Sequence, residues 1–267
     1  MPVLCDKIFC KEIVTEIRKR DLRDRKTYTQ SWHGKNVSVV ILYSRAGVAQ
    51  HIWLSTHEHA VLIDTGDGLL RDLLDNNFDL MQLRAIIYTH GHFDHMGGLY
   101  SLLGFLRMIG RIEPLHVFAP KGCTEVSGIT DSFMKIYSNT IPFEIVYKEV
   151  LPREGFRIAE ISIEPYPVIH CGSTHEGGIL DPIPALGYRL THGDEIVAIS
   201  GDTGLCSSLK GLVSGADLAI IESVYERSED ADKETIDKVH LSEDIAEKLG
   251  KLAKEFFIVH KGRRRSK

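Results

Sequence analysis

The sequence has no segment that would place the protein in a membrane. No run approaches the roughly 20 apolar residues that a membrane-spanning helix requires, and the first residues contain no apolar stretch typical of a signal peptide. The five cysteines are scattered, odd in number and never arranged as Cys-x-x-Cys. This pattern favours reduced thiols over a disulfide framework, so we expect a cytoplasmic protein without a membrane partner.

The sequence also lacks a strong excess of one charge. Its net charge of −5 argues against a protein-wide positive field for nucleic acid, although basic stretches at 18–26 and 261–267 allow a local phosphate contact. No internal repeat or low-complexity linker divides the 267 residues. We therefore predict a single domain over residues 1–267, with a charged N-terminal extension at 1–34 and a basic tail at 261–267.

The chain is organised around a polar loop that reads His-x-His-x-Asp-His. It contains His90, His92, Asp94 and His95, within six positions. The apolar residues at 83–88 have the length and β-branched content of a buried strand, and the residues at 99–107 are typical of a helix. Three histidines and an aspartate so close together have no packing use, whereas imidazole and carboxylate suit zinc and its first-row neighbours. The loop therefore predicts a metal site between a strand and a helix.

The predicted elements alternate in two similar halves. Hairpin-like pairs at 51–64 and 186–200 require antiparallel pairing, so a single parallel sheet fits poorly. Two sheets packed face to face with helices outside, an αββα sandwich, fit better. The predicted strands are 37–43, 51–55, 60–64, 83–88, 115–119, 143–147, 161–165, 167–170, 186–190, 195–200, 216–222 and 256–260, and the predicted helices are 68–77, 99–107, 124–138 and 241–253.

Further residues able to bind metal follow or end predicted strands, so they can converge on one rim of such a sandwich. These are His170, Asp202, Glu222 and His260. Other histidines are better explained by structure alone. His57 and His59 fit a polar turn, and His116 fits a sheet face.

The polar loop, followed by Gly201-Asp202-Thr203 and a histidine after the last strand, resembles the metallo-β-lactamase superfamily of metallohydrolases. The resemblance covers roughly residues 36–261 and implies two divalent ions around an activated water, a hydroxide. Zinc is expected, and manganese or iron fits the same ligands. Asp94 would orient the water, and Asp64 would orient the ligands. The implied ligands are His90, His92 and His170 for one ion, Asp94, His95 and His260 for the other, and Asp202 for both.

The third histidine of the first ion is open between two positions. His170, with Gly187-Tyr-Arg189 downstream, resembles the ribonuclease Z-like branch, and we favour it. His175 resembles the Gly-His-Thr pattern of a thioesterase-like branch, although its neighbours differ, and otherwise would line the cleft.

A strand ending at Glu222 and a histidine, His240, before the next helix also resemble ribonuclease Z. The resemblance implies that the pair relays a proton to the leaving group of a phosphodiester. Two features differ from that family: residues between His170 and Asp202 form a short Gly/Pro loop instead of a long arm that grips transfer RNA, and the ending after His260 is Lys-Gly-Arg-Arg-Arg. We expect a phosphodiesterase acting on RNA or a small phosphodiester. The alternative is a thioester or lactone hydrolase like glyoxalase II, and a homodimer is compatible with the sequence.

Overall fold

The computed structural model describes residues 30–174, 176 and 178–262. The predictions for most of the N-terminal extension, for the basic stretch at 18–26, for His175 and for most of the basic tail lie outside the described residues. None of the helices in the described part of the chain is long and apolar enough to cross a membrane. The strands are β1 (Gln30–His33), β2 (Ser38–Arg45), β3 (Ala49–Ser55), β4 (Ala60–Ile63), β5 (Leu83–Ile87), β6 (Leu115–Pro120), β7 (Ile145–Val150), β8 (Phe156–Ile158), β9 (Ile161–Pro167), β10 (Cys171–Ser173), β11 (Ile179–Pro182), β12 (Leu186–His192), β13 (Glu195–Ile199), β14 (Leu218–Glu222) and β15 (Glu255–Val259). The helices are α1 (Leu69–Asp75), α2 (Phe93–Met96), α3 (Leu99–Met108), α4 (Thr124–Ile136), α5 (Ser208–Val213), α6 (Lys233–Lys238) and α7 (Glu243–Gly250), with a 3-10 turn at Ser228–Asp230.

Two large mixed sheets form the frame of the molecule. The first has seven strands in the order β1 to β7, antiparallel as far as β4 and parallel from β4 to β7. The second has six strands in the order β15-β14-β13-β12-β9-β8, with β13, β14 and β15 parallel. The hairpins β3–β4 and β12–β13 are antiparallel, as the pairs at 51–64 and 186–200 predicted.

Three apolar clusters define four layers. The central cluster lies between the sheets and takes side chains from both, for example Ile41 and Ile63 from the first and Ile163 and Ile220 from the second. A second cluster packs the other face of the first sheet against α1, α3 and α4, and a third packs the second sheet against α5 and α7. Each fully buried aliphatic side chain contributes about 1.5–3 kcal/mol, so these faces hold the layers together. The αββα prediction is confirmed.

Some predicted boundaries were wrong. β9 ends at Pro167, which pairs with Leu186, and His170 lies three residues beyond the strand instead of ending it. The supposed Gly/Pro loop after His170 contains a separate hairpin, β10–β11. Helix α7 begins at Glu243, later than predicted, because the backbone of Ser242 before it is extended, with φ −105 and ψ 157.

Candidate metal centre

The polar loop leaves the first sheet beside a second strand end. β4 and β5 are parallel neighbours, with Ile63 opposite Ile87, so Asp64 and Thr89 emerge at the same edge of the sheet. Helix α2 then starts directly after His92 and turns Asp94 and His95 inward, leaving them 5% and 0% exposed. The local sequence thus turns the ligand-type side chains of the polar loop toward the interior.

The second sheet brings its own residues to the same place. Because β13, β14 and β15 are parallel, their carboxyl ends meet at one edge, which carries Asp202, Glu222 and His260. The Asp202 Oδ2 atom lies 3.0 Å from His260 Nε2 and 3.3 Å from His95 Nε2. It is also 4.0 Å from His90 Nε2. Asp202 therefore contacts side chains from both predicted ligand groups.

The two predicted ligand groups are each compact. The ligand atoms of His90, His92 and His170 lie within 4.8 Å of one another, as do those of Asp94, His95 and His260. His170 Nε2 is 3.1 Å from His92 Nδ1, while His170 Nδ1 is 2.8 Å from the Val239 carbonyl oxygen, which can accept a hydrogen bond from it. His170 reaches the cluster although it does not end a strand. No comparable statement applies to His175, which lies outside the described residues.

The cluster has the properties of a divalent cation site. The His90 Nε2, His95 Nε2 and Asp202 Oδ1 atoms are buried without a hydrogen-bond partner. Such atoms are rare in folded proteins because each forfeits its hydration, so three in one cluster indicate a missing common partner. The donors are imidazole nitrogens and carboxylate oxygens, which suit zinc, manganese or iron. The residues present therefore fit a divalent metal, without distinguishing which one.

Groups behind the cluster orient these side chains. Asp64 Oδ2 accepts a hydrogen bond from His95 Nδ1 at 2.8 Å, as the resemblance implied. The Gly47 backbone N–H, in the turn between β2 and β3, donates to Asp94 Oδ2 at 2.9 Å. Sequence reasoning missed Gly47 and Val239, since backbone groups have no sequence signature. It also missed Thr89, whose hydroxyl contacts both Asp64 and His90, although its position directly before His90 was an available signal.

Charge is distributed unevenly within the cluster. Burial lowers the pKa of His170 to about 3, and burial together with His95 holds the pKa of His90 well below its ordinary value. Burial would lower the pKa of His95 too, but the Asp202 and Asp64 carboxylates outweigh it and raise that pKa well above the usual range. The lowered pKa values favour the neutral form of His90 and His170, in which imidazole binds metal, whereas a metal would have to displace a proton from His95.

A carboxylate–histidine pair stands at the edge of the cluster. The Glu222 Oε1 atom is 3.1 Å from His240 Nδ1, and His240 Nδ1 is 3.9 Å from Asp202 Oδ2. The same Glu222 oxygen accepts hydrogen bonds from the backbone N–H groups of Thr203 and Leu241. Burial opposes protonation of His240, but Glu222 outweighs it and raises the pKa of His240 to about 9. The two residues that sequence reasoning paired are thus brought together.

Comparison with known proteins fits this geometry. The family model described as "Beta-lactamase superfamily domain" matches residues 59–259, which include the polar loop, Asp202 and His240. The chain belongs to the β-lactamase superfamily. The prediction of an enzyme among the metallo-β-lactamase-fold hydrolases is confirmed at the level of the family.

Several proteins similar to this chain have a name or a solved structure. A protein named ribonuclease Z from Metallosphaera sedula is 25% identical, over 64% of this chain and 69% of that protein. The short form of human tRNase Z has a similar fold, with a TM-score of 0.69 and 20% identity over 85% of this chain and 94% of that one. The metallo-β-lactamase fold protein YhfI from Bacillus subtilis matches with a TM-score of 0.69 and 18% identity over 87% and 89%. Matches cover between 18% and 69% of the length of the first curated relatives.

The histidines that the sequence analysis assigned to a turn or a sheet face lie outside the cluster. His57 and His59 are in the turn before β4, and His59 Nδ1 is 2.7 Å from Glu160. His116 lies in β6, where its ring stacks 6.0 Å from that of Phe118. Neither turn nor sheet-face histidines join the ligand groups, in agreement with the structural explanation given for them.

Proposed function

We propose that the protein hydrolyses phosphodiester bonds with two divalent metal ions, as a ribonuclease Z-like enzyme. The observation that carries this proposal is the Glu222–His240 pair, 3.1 Å apart, at the edge of the histidine–aspartate cluster. Hydrolysis of a phosphodiester expels an alkoxide, which needs a proton, and a histidine held by a carboxylate is suited to supply it. The sequence similarity to proteins named ribonuclease Z supports the same reaction class.

Each of the two ligand groups would bind one ion. A pair of divalent cations, when bound, supplies Lewis-acid polarisation of water and of phosphate oxygens. Asp202 contacts His90, His95 and His260, which supports a role in which it would hold both ions. The first ion is assigned to His90, His92 and His170, and the second to Asp94, His95 and His260.

The chain's own side chains handle the protons. Asp94 is buried and held by the Gly47 N–H, so its carboxylate is fixed facing the cluster and can orient the attacking water. Glu222 engages the Nδ1 atom of His240 and leaves Nε2 to deliver a proton to the leaving oxygen. A positioned general acid of this kind contributes about 10²–10⁴-fold to the rate.

A turnover panel tests the proposal. Wild-type protein and the His240→Ala variant are assayed with bis-p-nitrophenyl phosphate, a cyclic nucleotide, a precursor transfer RNA and a thioester, with metal content measured on the same samples. We expect phosphodiester turnover that falls about 100-fold or more in His240→Ala with metal content unchanged. His59→Ala, which removes a histidine outside the cluster, is the matched control and should keep wild-type turnover.

Two results would contradict the proposal. One is turnover of the thioester alone, with no loss in His240→Ala, which would favour the thioester or lactone hydrolase. The other is a folded protein that binds two ions but turns over none of the four substrates.

A further inference from the structure

We infer that Thr89 is a positioning residue whose hydroxyl links the two ligand groups through Asp64. Thr89 directly precedes His90 and is 1% exposed. Its Oγ1 atom lies 2.8 Å from Asp64 Oδ2 and 3.1 Å from His90 Nδ1. The inference rests on the two ligand groups of the proposed function, but not on the identity of the substrate.

The number of available protons determines to which group the Thr89 hydroxyl donates and from which it accepts. Asp64 accepts hydrogen bonds on both oxygens, from the Thr89 backbone N–H at 2.8 Å and from the Thr89 hydroxyl at 2.8 Å. The single hydroxyl proton is therefore spent on Asp64, so Thr89 Oγ1 can only accept from His90. His90 must then carry its proton on Nδ1, which leaves the Nε2 lone pair free.

The free lone pair points where a ligand is needed. His90 Nε2 is one of the buried atoms without a partner in the cluster. The Nδ1 atom of His95 bonds directly to Asp64 Oδ2 at 2.8 Å, and its Nε2 atom faces Asp202 Oδ2 at 3.3 Å within the cluster. One carboxylate thus sets the tautomer of a histidine in each ligand group, directly for His95 and through Thr89 for His90.

The surrounding backbone packs closely against Thr89. A Cβ atom on Gly201 would come within 2.7 Å of Thr89 Cβ, so the loop that carries Asp202 packs directly on this side chain. Gly201 has φ +62, a conformation that side-chain-bearing residues rarely adopt, which allows this close approach. The Thr89 carbonyl is also bonded to the Leu186 backbone N–H at 2.9 Å. Thr89 is therefore held from both sides with its hydroxyl toward Asp64.

This arrangement predicts an asymmetry between two substitutions. Thr89→Val keeps the shape of the side chain but removes the hydroxyl, so it frees His90. His95 loses only a 3.4 Å contact with that hydroxyl and keeps its 2.8 Å bond to Asp64. Asp64→Asn changes the group that accepts the hydrogen bonds of both Thr89 and His95. Loss of a hydrogen-bond partner of a metal ligand typically weakens metal affinity 10–100-fold.

The experiment measures metal binding instead of activity. Metal-free wild-type protein, Thr89→Val, Thr89→Ser and Asp64→Asn are titrated with Zn²⁺ against a chromophoric chelator, and with Co²⁺ to record visible absorption. Thermal unfolding of each metal-free protein checks folding. We expect two ions in the wild type, about 10–100-fold weaker binding of one ion only in Thr89→Val, recovery in Thr89→Ser, and weakening of both ions in Asp64→Asn.

The outcomes separate this inference from the proposed function. Equal affinities in Thr89→Val and wild type, equal weakening of both ions in Thr89→Val, or no recovery in Thr89→Ser would overturn the role of Thr89. A wild type that binds no pair of ions would overturn both. Two bound ions without phosphodiester turnover would overturn the proposed function alone.

A measurement on the wild type covers the case in which Thr89→Val does not fold. Nitrogen NMR of the histidine rings in the zinc-loaded protein should show His90 protonated on Nδ1. A proton on Nε2 of His90 would contradict the inference.

Discussion

Replacing Glu222 separates its structural role from its role beside His240. Its side chain is fully buried, and Oε1 accepts from Thr203 N at 3.0 Å, Leu241 N at 3.1 Å and His240 Nδ1 at 3.1 Å. Since Thr203 follows Asp202 in the chain, one oxygen ties the Asp202 loop to the segment that carries His240. Glu222→Gln keeps an oxygen for these donors but removes the charge, whereas Glu222→Ala removes the acceptor.

The magnitudes follow from the number of donors left unpaired. A buried N–H without a partner costs about 1–3 kcal/mol, so the two backbone donors freed in Glu222→Ala should cost about 2–6 kcal/mol. At roughly 2–4 °C per kcal/mol for a chain of this size, the melting temperature should fall by about 4–24 °C. A hydrogen bond to a charged acceptor contributes about 1.5–3 kcal/mol. If that energy acts in the transition state, Glu222→Gln should lower kcat by roughly 10–150-fold with a small change in stability.

The assay combines kcat and KM for bis-p-nitrophenyl phosphate with metal content and thermal unfolding. Glu195→Gln is a matched control, because Glu195 is also buried and accepts from the backbone N–H groups of residues 35–37, but at the opposite end of β13. It should keep the wild-type kcat. A wild-type kcat in Glu222→Gln, or equal melting temperatures for the Gln and Ala variants of Glu222, would refute the reasoning.

Other predictions concern the core and the metals. Arg111 is 1% exposed and donates to main-chain carbonyls around it, so Arg111→Met, which leaves these buried oxygens unpaired, should lower the free energy of unfolding by about 1–3 kcal/mol or more in urea titrations; no loss would contradict this. Gly128 lies inside α4 with nothing within 4 Å of an added Cβ, so Gly128→Ala should raise that free energy by about 0.5–1 kcal/mol, and a decrease would be the contrary result. Removing metal with a chelator should abolish turnover and lower the melting temperature, with both restored by Zn²⁺; unchanged values after verified metal removal would refute a role for the cluster.

Much of the fold could be read from local patterns. Apolar runs such as 37–43 and 83–88 were predicted as strands and are buried in the sheets, because strands covered on both faces need continuous apolar sequence. The strand β1 and the three-residue β8 were missed, since short strands at sheet edges carry little hydrophobic signal. The end of β9 was misplaced because the apolar residues after Pro167 resemble a continuing strand in sequence, whereas they lie beyond the end of the strand.

The candidate site, like the fold, could be predicted only in part from local patterns. His90, His92, Asp94 and His95 could be grouped from spacing alone, because a short loop keeps neighbours in sequence close in space. The contribution of the second sheet, with Asp202 as the shared residue, required the resemblance to a family. Cytoplasmic location and a homodimer stay predictions.

The sequence by itself determined the metal-type chemistry and the layer order of the sandwich, since these depend on residue types and on periodicity along the chain, whereas the pairing of Glu222 with His240 came from the resemblance to a family. Only the tertiary structure decided how the ligands are held: the hydroxyl of Thr89 between Asp64 and His90, the Gly47 N–H on Asp94 and the Val239 carbonyl at His170. Hydrogen bonds of this kind depend on distances of a few tenths of an ångström between segments far apart in the chain, and backbone donors and acceptors are the same in every residue except proline. No pattern in the sequence distinguishes them until the sheets are packed.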